Sequence, residues 1–343
     1  MLRSAAIARL ALALGFAFAA SAATAQGNLT VYCSYQIDWC NAMANAFSKE
    51  TGIKVAMLQK SAGETFAQIK AEAANPKGDI WWTGSGDAHV QAAEENLTLP
   101  YQSPMLKDLQ DWARKQAEQT GYKAVGVYAG PLGFGYNPDL LTRKNLPAPK
   151  CWRDLVKPEY KGEVQIANPN SSGTAYVAIA TLVQLMGEEE AFKYLKALNV
   201  NVNQYTKSGA GPVKAVGRAE TAVGVAFIHD AVAEKVAGFP VVSVAPCEGT
   251  GYEIGSMSLI KGARNLDNAK RFYDWALTPA AQALGAENKA YPIPSNRNTP
   301  ISPLMPKLSD VKLINYDFAK YGSAAERRRL LQKWETEVNA QPR

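Results

Sequence analysis

Short strands and amphipathic helices alternate over the first hundred residues, and this order restricts the fold more than any other feature of the chain. Strands are predicted at residues 28–34, 53–58 and 79–82, with a helix after each. Such alternation is typical of a parallel sheet with helices on both faces, so we expect an α/β fold. Ligands of open α/β sheets lie at the carboxyl ends of the strands. The candidate residues in the loops there and at the helix starts that follow are Ser34, Tyr35, Gln36, Ser61, Gly63, Glu64, Thr65, Ser85 and Asp87.

A second strand-to-helix element is predicted at residues 162–186. Its strand ends at Asn168-Pro169-Asn170, and the following helix begins with small and hydroxylated residues. A helix N-terminus offers unpaired N–H groups and a partial positive charge, which together favour an anion. The alternative is that a serine only caps the helix. The candidate residues are Ser171, Ser172, Gly173 and Thr174.

Two glycine-containing, β-prone runs at residues 125–137 and 251–260 predict crossings between two lobes, and Glu253 lies in the second run. An apolar strand at residues 221–228 delivers His229 and Asp230 at its carboxyl end, and Tyr205 ends an earlier strand. We therefore add Tyr205, His229, Asp230 and Glu253 to the candidate ligand-binding residues.

The sequence also predicts how exposed two tryptophans and one histidine near the third strand are. Trp81 and Trp82 point to opposite faces of a strand, so one should be in the core and the other in the cleft. His89 lies in a predicted amphipathic helix and is expected to be solvated.

The first 25 residues have the pattern of a cleavable secretory signal. They contain two arginines, an apolar run at residues 10–20 and Ala23-Thr24-Ala25 before the expected cleavage point. Removing them from 343 residues leaves 318 and lowers the net charge from +6 to +4, because Arg3 and Arg9 leave. That length suits two domains, and the small, scattered charge does not indicate nucleic-acid binding. We expect a periplasmic protein.

All four cysteines lie after the predicted cleavage point, in an oxidising compartment where two disulfides are the default. Three pairings are open. We favour Cys33 with Cys40, which closes a short loop, and Cys151 with Cys247. Metal binding by the cysteines is the weaker alternative, because the chain has no Cys-x-x-Cys pair.

The chain resembles the periplasmic solute-binding proteins of ABC importers. It is most similar to the extracellular solute-binding family 1 branch, which includes ferric-ion, thiamine, phosphonate and hexose-phosphate binders. The matching segments cover essentially all of the predicted mature chain. They are LTVYCSYQIDWCNAMANAFSKETGIKV, AEAANPKGDIWW, GPLGFGYNPDLL, KPEYKGEVQIANPNSSGTAY and NAKRFYDWALTPAAQ.

The resemblance implies a two-lobed, type II Venus-flytrap fold, each lobe a mostly parallel sheet flanked by helices, which closes on one solute and presents it to a membrane permease. It implies a monomer without a cofactor or a resident metal. The expected divisions are a signal peptide (1–25), lobe 1 (26–125 and about 255–305), lobe 2 (126–254) and a C-terminal helical segment that packs on the lobes (306–343).

Ferric-ion members of the branch typically bind the metal through two adjacent tyrosines. This chain contains no Tyr-Tyr pair, and residues 203–206 read Asn-Gln-Tyr-Thr. Ferric ion prefers anionic oxygen ligands, of which the sequence offers few. The hexose-phosphate binders match better, because they resemble this chain at Ser61, at the His229-Asp230 pair and at Glu253.

The second resemblance implies a small anionic, hydroxyl-bearing solute, with a sugar phosphate as the best candidate. Donors at the helix starts, including Ser61 and the Ser172-Gly173-Thr174 turn, would bind the phosphoryl group. Asp230, Glu253 and His229 would bind the hydroxyls. We expect neutral donors around the anion rather than lysine or arginine.

Other solutes and one other class of protein remain as alternatives. The solutes are ferric ion with a synergistic anion, thiamine and a phosphonate. The other class is a periplasmic hydrolase, which the sequence disfavours: it has no Gly-x-Ser-x-Gly elbow, and neighbouring His229 and Asp230 on a strand would point apart. We expect no catalysis.

Overall fold

The computed structural model describes residues 27–342, so the predicted signal peptide lies outside the described residues. Eleven strands alternate with helices along this part of the chain. The strands are β1 (Asn28–Cys33), β2 (Lys54–Gln59), β3 (Ile80–Ser85), β4 (Thr98–Leu99), β5 (Val125–Tyr136), β6 (Val164–Ala167), β7 (Val202–Thr206), β8 (Val223–Phe227), β9 (Val242–Val244), β10 (Tyr252–Ile260) and β11 (Ile293–Pro294).

The helices cover both faces of the sheet and the C-terminal part of the chain. The α-helices are α1 (Ile37–Thr51), α2 (Ala62–Ala71), α3 (Gly86–Glu94), α4 (Asp111–Gln119), α5 (Pro138–Lys144), α6 (Gly173–Met186), α7 (Glu188–Asn201), α8 (Gly211–Gly217), α9 (Ile228–Val236), α10 (Leu266–Ala276), α11 (Pro279–Glu287), α12 (Phe318–Gly322) and α13 (Ala324–Trp334). Short 3-10 helices lie at Pro104–Asp108, Trp152–Val156, Pro158–Tyr160 and Leu308–Asp310, and a π-helical turn follows α13 at Glu335–Asn339.

The strands form one path in the order β2-β1-β3-β10-β5-β8-β6-β7. The first part of β5 pairs with β10, and its last part, Leu132 to Tyr136, pairs with β8. We use lobe 1 for the elements around β1, β2 and β3, and lobe 2 for those around β6, β7 and β8. The boundaries given above for the lobes and the C-terminal segment stay a prediction.

Both predicted crossings are single long strands. β5 passes from lobe 1 to lobe 2, and β10 returns beside it in the antiparallel direction. The pairs β1–β2, β1–β3, β6–β7 and β6–β8 are parallel, whereas β10 and β5 pair only with antiparallel neighbours. Each lobe is therefore mostly parallel, as expected, and the whole sheet is mixed because a strand that returns between the lobes must run against its neighbour.

Each lobe has its own hydrophobic core. The lobe 1 core contains Phe47, Trp82 and Phe272, and the lobe 2 core contains Phe134 and Tyr176. This division follows from the crossing strands, which leave each half of the sheet to bury its own helices.

Two expectations about lobe 1 are wrong. Trp81 and Trp82 are both fully buried, because helices cover both faces of β3. His89 is also buried, stacks on Trp81 with ring centroids 3.7 Å apart, and its Nδ1 lies 2.8 Å from Ser258 Oγ. The amphipathic pattern of α3 misleads because His89 lies on the side of the helix that packs on β3 and β10, where Trp81 and Ser258 contact it.

The disulfide pairing is confirmed: Cys33 is bonded to Cys40 and Cys151 to Cys247. The first bridge joins the end of β1 to the first turn of α1. The second joins two segments of lobe 2 that are 96 residues apart. Within residues 27–342, no helix is both long enough and apolar enough to cross a bilayer.

The C-terminal helix α13 contacts both lobes. On the lobe 1 side, the Ala324 N–H donates to Glu94 Oε2 at 2.6 Å. On the lobe 2 side, Arg329 donates to Glu188 Oε2 at 2.7 Å. The same helix carries the fully buried Arg327, whose guanidinium lies 4.2 Å from the ring centroid of Tyr176.

Candidate functional site

A cleft of about 220 Å³ lies between the lobes, beside the crossing strands. Its volume suits a small solute rather than a polymer. Eleven of the candidate residues line this cleft: Ser34, Tyr35, Gln36, Ser61, Ser85, Ser172, Gly173, Thr174, His229, Asp230 and Glu253.

Several other residues line the cleft although the sequence did not single them out. Two are lysines, Lys60 from lobe 1 and Lys214 from lobe 2. The expectation that only neutral donors surround the anion stays a prediction. Lys60 directly precedes Ser61 and could have been found with the loop; Lys214 lies inside α8, where its direction depends on how that helix packs. The others are Ile37, Gln59, Ala62, Gly84, Tyr128, Ser208, Gly209, Ala210 and Phe227.

Helix N-termini from both lobes meet at the cleft. α1, α2, α3, α6 and α9 each have nine or more residues, and the residue that precedes each of them lines the cleft. Each N-terminus contributes a partial positive charge and unpaired N–H groups. The flanking residues are Gln36, Ser61, Ser85, Ser172 and Phe227.

One part of the cleft, which we call the hydroxyl end, contains Ser61, Ser85, Ser172, Gly173 and Thr174. The lobes approach closely here: a Cβ added to Gly173 would lie 1.8 Å from Ser85 Oγ. The Ser85 hydroxyl is buried and has no hydrogen-bond partner among the described residues. Small side chains from both lobes therefore surround one region of the cleft, where several helix N-termini meet.

Gly209 brings the loop after β7 to the same point. A Cβ on this residue would lie 2.0 Å from Thr174 Oγ1 and 3.1 Å from Ser172 Oγ. Ser208 and Gly209 thus add backbone groups to the hydroxyl end, and a side chain at position 209 would cover them.

The other part of the cleft, the carboxyl end, contains Gln36, Tyr128, His229, Asp230 and Glu253. His229 and Asp230 belong to the first turn of α9, not to a strand as the sequence suggested, because β8 ends at Phe227. The Gln36 side-chain amide donates to Asp230 Oδ1 at 2.9 Å, which joins the lobes. His229 Nε2 lies 3.8 Å from Glu253 Oε1 and 4.0 Å from Asp230 Oδ1.

Burial controls the charges at the carboxyl end. It raises the pKa of Asp230 to about 7, against the opposing effects of the Gln36 hydrogen bond and the positive charge of Lys214. Burial and the neighbouring Asp230 carboxyl raise the pKa of Glu253 well above its ordinary value. Burial lowers the pKa of His229 to about 3, so its imidazole is neutral at pH 7. The contact between His229 and Glu253 is therefore no ion pair, and at 3.8 Å it is too long for a hydrogen bond.

The raised pKa of Asp230 predicts a pH effect on stability without solute. Its stabilising contribution is complete below the unfolded pKa, 3.8, and is lost as the pH rises through about 7. Asp230→Asn removes this loss, so the variant should gain stability relative to the wild type between about pH 4 and pH 7. A shift of about 3 units corresponds to a gain on the order of 4 kcal/mol.

Denaturant unfolding of both proteins at about pH 4 and about pH 7.5 measures this difference. The two curves must be subtracted, because His229 acts in the opposite direction: its pKa is lowered, so its contribution is lost as the pH falls from 6.5 toward 3. A difference that does not change with pH would contradict the prediction.

Gly63 and Ser171 do not line the cleft but join the lobes beside it. The Gly63 N–H donates to the Ser171 carbonyl at 2.9 Å, from α2 in lobe 1 to the loop before α6 in lobe 2. The Ser171 hydroxyl donates to the Lys207 carbonyl at 3.0 Å, so this hydroxyl is hydrogen-bonded within lobe 2. Both residues therefore lie at a contact between the two lobes.

Glu64 and Thr65 lie behind the cleft lining, and each contacts a serine that lines the cleft. The Ser61 hydroxyl donates to Glu64 Oε2 at 2.6 Å in a capping arrangement at the start of α2. Thr65 Oγ1 lies 3.0 Å from Ser34 Oγ. Both side chains orient a serine that lines the cleft.

Asp87 and Tyr205 lie away from the cleft lining. Asp87 is buried beside Arg327, and the Tyr316 hydroxyl donates to it at 3.5 Å; burial raises the Asp87 pKa to about 6. The Tyr205 hydroxyl donates to Asn199 Oδ1 at 2.8 Å, and its ring packs on Trp334. Sequence position alone placed both residues at strand ends, but their side chains turn toward the C-terminal helices.

Comparisons with known proteins agree with this architecture. A model of the bacterial extracellular solute-binding protein family matches residues 75–321. An uncharacterized protein of Haemophilus influenzae is 45% identical over 329 residues, which cover 95% of each chain. The Fe(3+)-binding periplasmic protein of Serratia marcescens is 25% identical over 334 residues, 92% of this chain and 93% of that protein.

A solved structure resembles the chain closely. The periplasmic binding protein AfuA of Actinobacillus pleuropneumoniae, with exogenous fructose 6-phosphate bound, superimposes with a TM-score of 0.90. It is 44% identical, and the alignment covers 92% of this chain and 99% of AfuA.

Proposed function

This chain belongs to the family of bacterial extracellular solute-binding proteins, which serve ABC importers, and we propose that the solute it binds is a sugar phosphate. The solute lies in the cleft between the lobes, which close on it. The protein then presents it to the inner-membrane permease. Two features of the cleft support this proposal, one for each end of such a solute.

The observation that carries the proposal is the meeting of helix N-termini from both lobes at the hydroxyl end. Ser61, Ser85 and Ser172 precede three of these helices and line the cleft. The Ser85 and Ser172 hydroxyls and the free backbone N–H groups can donate to phosphoryl oxygens, whereas the Ser61 hydroxyl already donates to Glu64 Oε2. The helix dipoles favour the negative charge. Lys60 and Lys214 add positive charge from either side of the cleft.

The carboxyl end offers complementary chemistry for hydroxyl groups. Asp230 and Glu253 supply acceptor oxygens, and neutral His229 can donate or accept. Glu253 Oε1 and His229 Nδ1 are buried without a hydrogen-bond partner among residues 27–342. Buried polar atoms of this kind lose free energy unless a ligand or water pairs with them. A polyhydroxylated body pairs with them directly.

A ferric-ion site is less consistent with the same residues. Within the described part of the chain, only one group of three His, Cys, Asp or Glu side chains has converging ligand atoms. It contains Cys151, Cys247 and Glu248, and its cysteines are disulfide-bonded. Because the acidic and imidazole groups of the cleft do not converge in this way, we favour an anionic solute over a metal.

The test is calorimetric titration and thermal unfolding of the mature, ligand-stripped protein with fructose 6-phosphate, fructose, inorganic phosphate, 2-aminoethylphosphonate, thiamine and ferric citrate. Only the sugar phosphate engages both ends of the cleft, so we expect it to bind far more tightly than fructose or phosphate. At about 100 times its dissociation constant it should stabilise the protein by about 2.7 kcal/mol, which raises the Tm by several degrees. Binding of ferric citrate alone would overturn the proposal.

A further inference from the structure

We propose that the Cys33–Cys40 disulfide positions the cleft-lining segment between its two cysteines, and that its main effect is on solute affinity. This inference rests on the proposed function, because it assigns a role in binding to a bridge beside the cleft. The alternative is that the bond only stabilises the fold, and the contacts of the segment distinguish these two roles.

The bridge closes a short ring around residues that face the solute. Ser34, Tyr35, Gln36 and Ile37 lie between the two cysteines, and all four line the cleft. Both cysteines are fully buried, at the end of β1 and in the first turn of α1. The ring therefore joins the edge of the sheet to the N-terminus of a helix that points into the cleft.

The first turn of α1 lacks the usual side-chain cap. Gln36 precedes the helix, but its side chain makes no capping hydrogen bond. Its amide donates instead to Asp230 Oδ1 in lobe 2. An uncapped helix start loses local stability, and frays more readily. The disulfide holds this turn at Cys40, so that Gln36 can contact the other lobe without releasing the helix.

The segment's other contacts show which residues depend on the bridge. Ser34 is fixed without it, because its N–H donates to the Trp82 carbonyl at 3.0 Å and Trp81 Nε1 donates to its hydroxyl at 2.9 Å. Tyr35 is held partly, since Gln59 Nε2 donates to its carbonyl at 3.0 Å. Within residues 27–342, the side chain of Gln36 donates across the cleft, to Asp230 Oδ1 in lobe 2. Removal of the bridge should therefore affect Gln36 most.

The second disulfide provides a matched control within the same chain. Cys151 and Cys247 are 96 residues apart in sequence, against 7 for the first pair, and neither lines the cleft. A bridge that closes a longer loop restricts the unfolded chain more. Its removal should therefore lower the unfolding temperature more than removal of the first bridge, yet leave affinity unchanged.

The experiment compares Cys33→Ala/Cys40→Ala with Cys151→Ala/Cys247→Ala in the full mature protein. Hydrogen exchange of the unliganded proteins measures the local stability of the segment between the cysteines. Titration with fructose 6-phosphate measures solute affinity. A second variant, Cys33→Ala/Cys40→Val, retains more of the buried volume without the covalent bond, in case the double alanine variant does not fold. Addition of Gln36→Ala to each variant tests whether the bridge acts through Gln36.

We expect the first variant to exchange faster at residues 35–41 and to bind fructose 6-phosphate at least tenfold more weakly. We also expect Gln36→Ala to add little to that loss. Replacement of Cys151 and Cys247 should leave both the exchange rates at residues 35–41 and the affinity as in the wild type. Unchanged exchange at residues 35–41, or equal weakening by both pairs, would overturn the inference. If the wild type does not bind fructose 6-phosphate, the proposed function fails and the affinity part of this inference fails with it, whereas faster exchange at residues 35–41 would still support positioning of the segment by the bridge.

Discussion

Replacement of Gly63 by alanine is expected to weaken solute binding by roughly 100-fold, or about 2.7 kcal/mol. Gly63 lies in the first turn of α2, where its N–H donates to the Ser171 carbonyl of the other lobe. A Cβ at this position would lie 2.3 Å from the Asn170 carbonyl oxygen and 2.8 Å from that of Ser171. These are backbone atoms, so the overlap can be relieved only by moving the lobes apart.

The substitution should leave the separate lobes intact, because alanine is a better helix former than glycine. Calorimetric titration with fructose 6-phosphate measures the loss, and small-angle scattering with and without solute measures closure. Ala67→Ser, an exposed change on the same helix, is the control and should bind as the wild type does. Affinity of Gly63→Ala within threefold of the wild type would mean that the bound state does not contain this contact.

Asp230→Ala is expected to weaken binding by about 100-fold or more and, at neutral pH, to stabilise the unliganded protein. The carboxylate is buried in the first turn of α9 beside His229 and accepts a hydrogen bond from Gln36. Hydrogen bonds to a charged group contribute about 1.5–3 kcal/mol each, so loss of the solute contacts and of the Gln36 contact accounts for this magnitude. The gain in stability follows from removing a buried acid whose pKa is raised to about 7.

Opposite changes in affinity and stability separate this effect from general damage to the fold. The control is Asp267→Ala, which removes an exposed acid from the first turn of α10, outside the cleft. It should lose a similar helix-dipole interaction and leave affinity unchanged. A double-mutant cycle with Gln36→Ala then divides the loss between the solute contacts and the contact between lobes. Wild-type affinity in Asp230→Ala would remove Asp230 from the site.

The succession of the main strands and helices along the chain, the two long crossing runs and the presence of two disulfides could be predicted from the sequence. Each depends on short-range information: apolar spacing along a strand, polar residues at its end, or an even number of cysteines in an exported chain. The loops after β1, β2 and β3 could also be assigned to one edge, since parallel strands bring their carboxyl ends together. Eleven of the predicted site residues line the cleft for this reason.

Most of the errors concern side chains whose surroundings come from distant parts of the chain; the assignment of His229 and Asp230 to a strand is a local error, because β8 ends at Phe227. The sequence presents His89 as part of an ordinary amphipathic helix, and only the packing of α3 on β3 and β10 buries it, beside Trp81 and Ser258. Asp87 and Tyr205 are similar cases, because their partners lie in the C-terminal part of the chain: Tyr316 and Arg327 for Asp87, and Trp334 for Tyr205. Lys214 reaches the cleft because of how α8 packs in lobe 2.

By itself, the sequence determined which elements form and which loops share an edge, because those properties depend on neighbours along the chain. Only the tertiary structure decided which groups from the two lobes meet. The contact between Gly63 and Ser171 and the hydrogen bond from Gln36 to Asp230 each join segments that are more than 100 residues apart, and the helix N-termini that converge on the cleft come from both lobes. Their distances, and the pKa values that burial sets there, exist only once β5 and β10 have brought the lobes together.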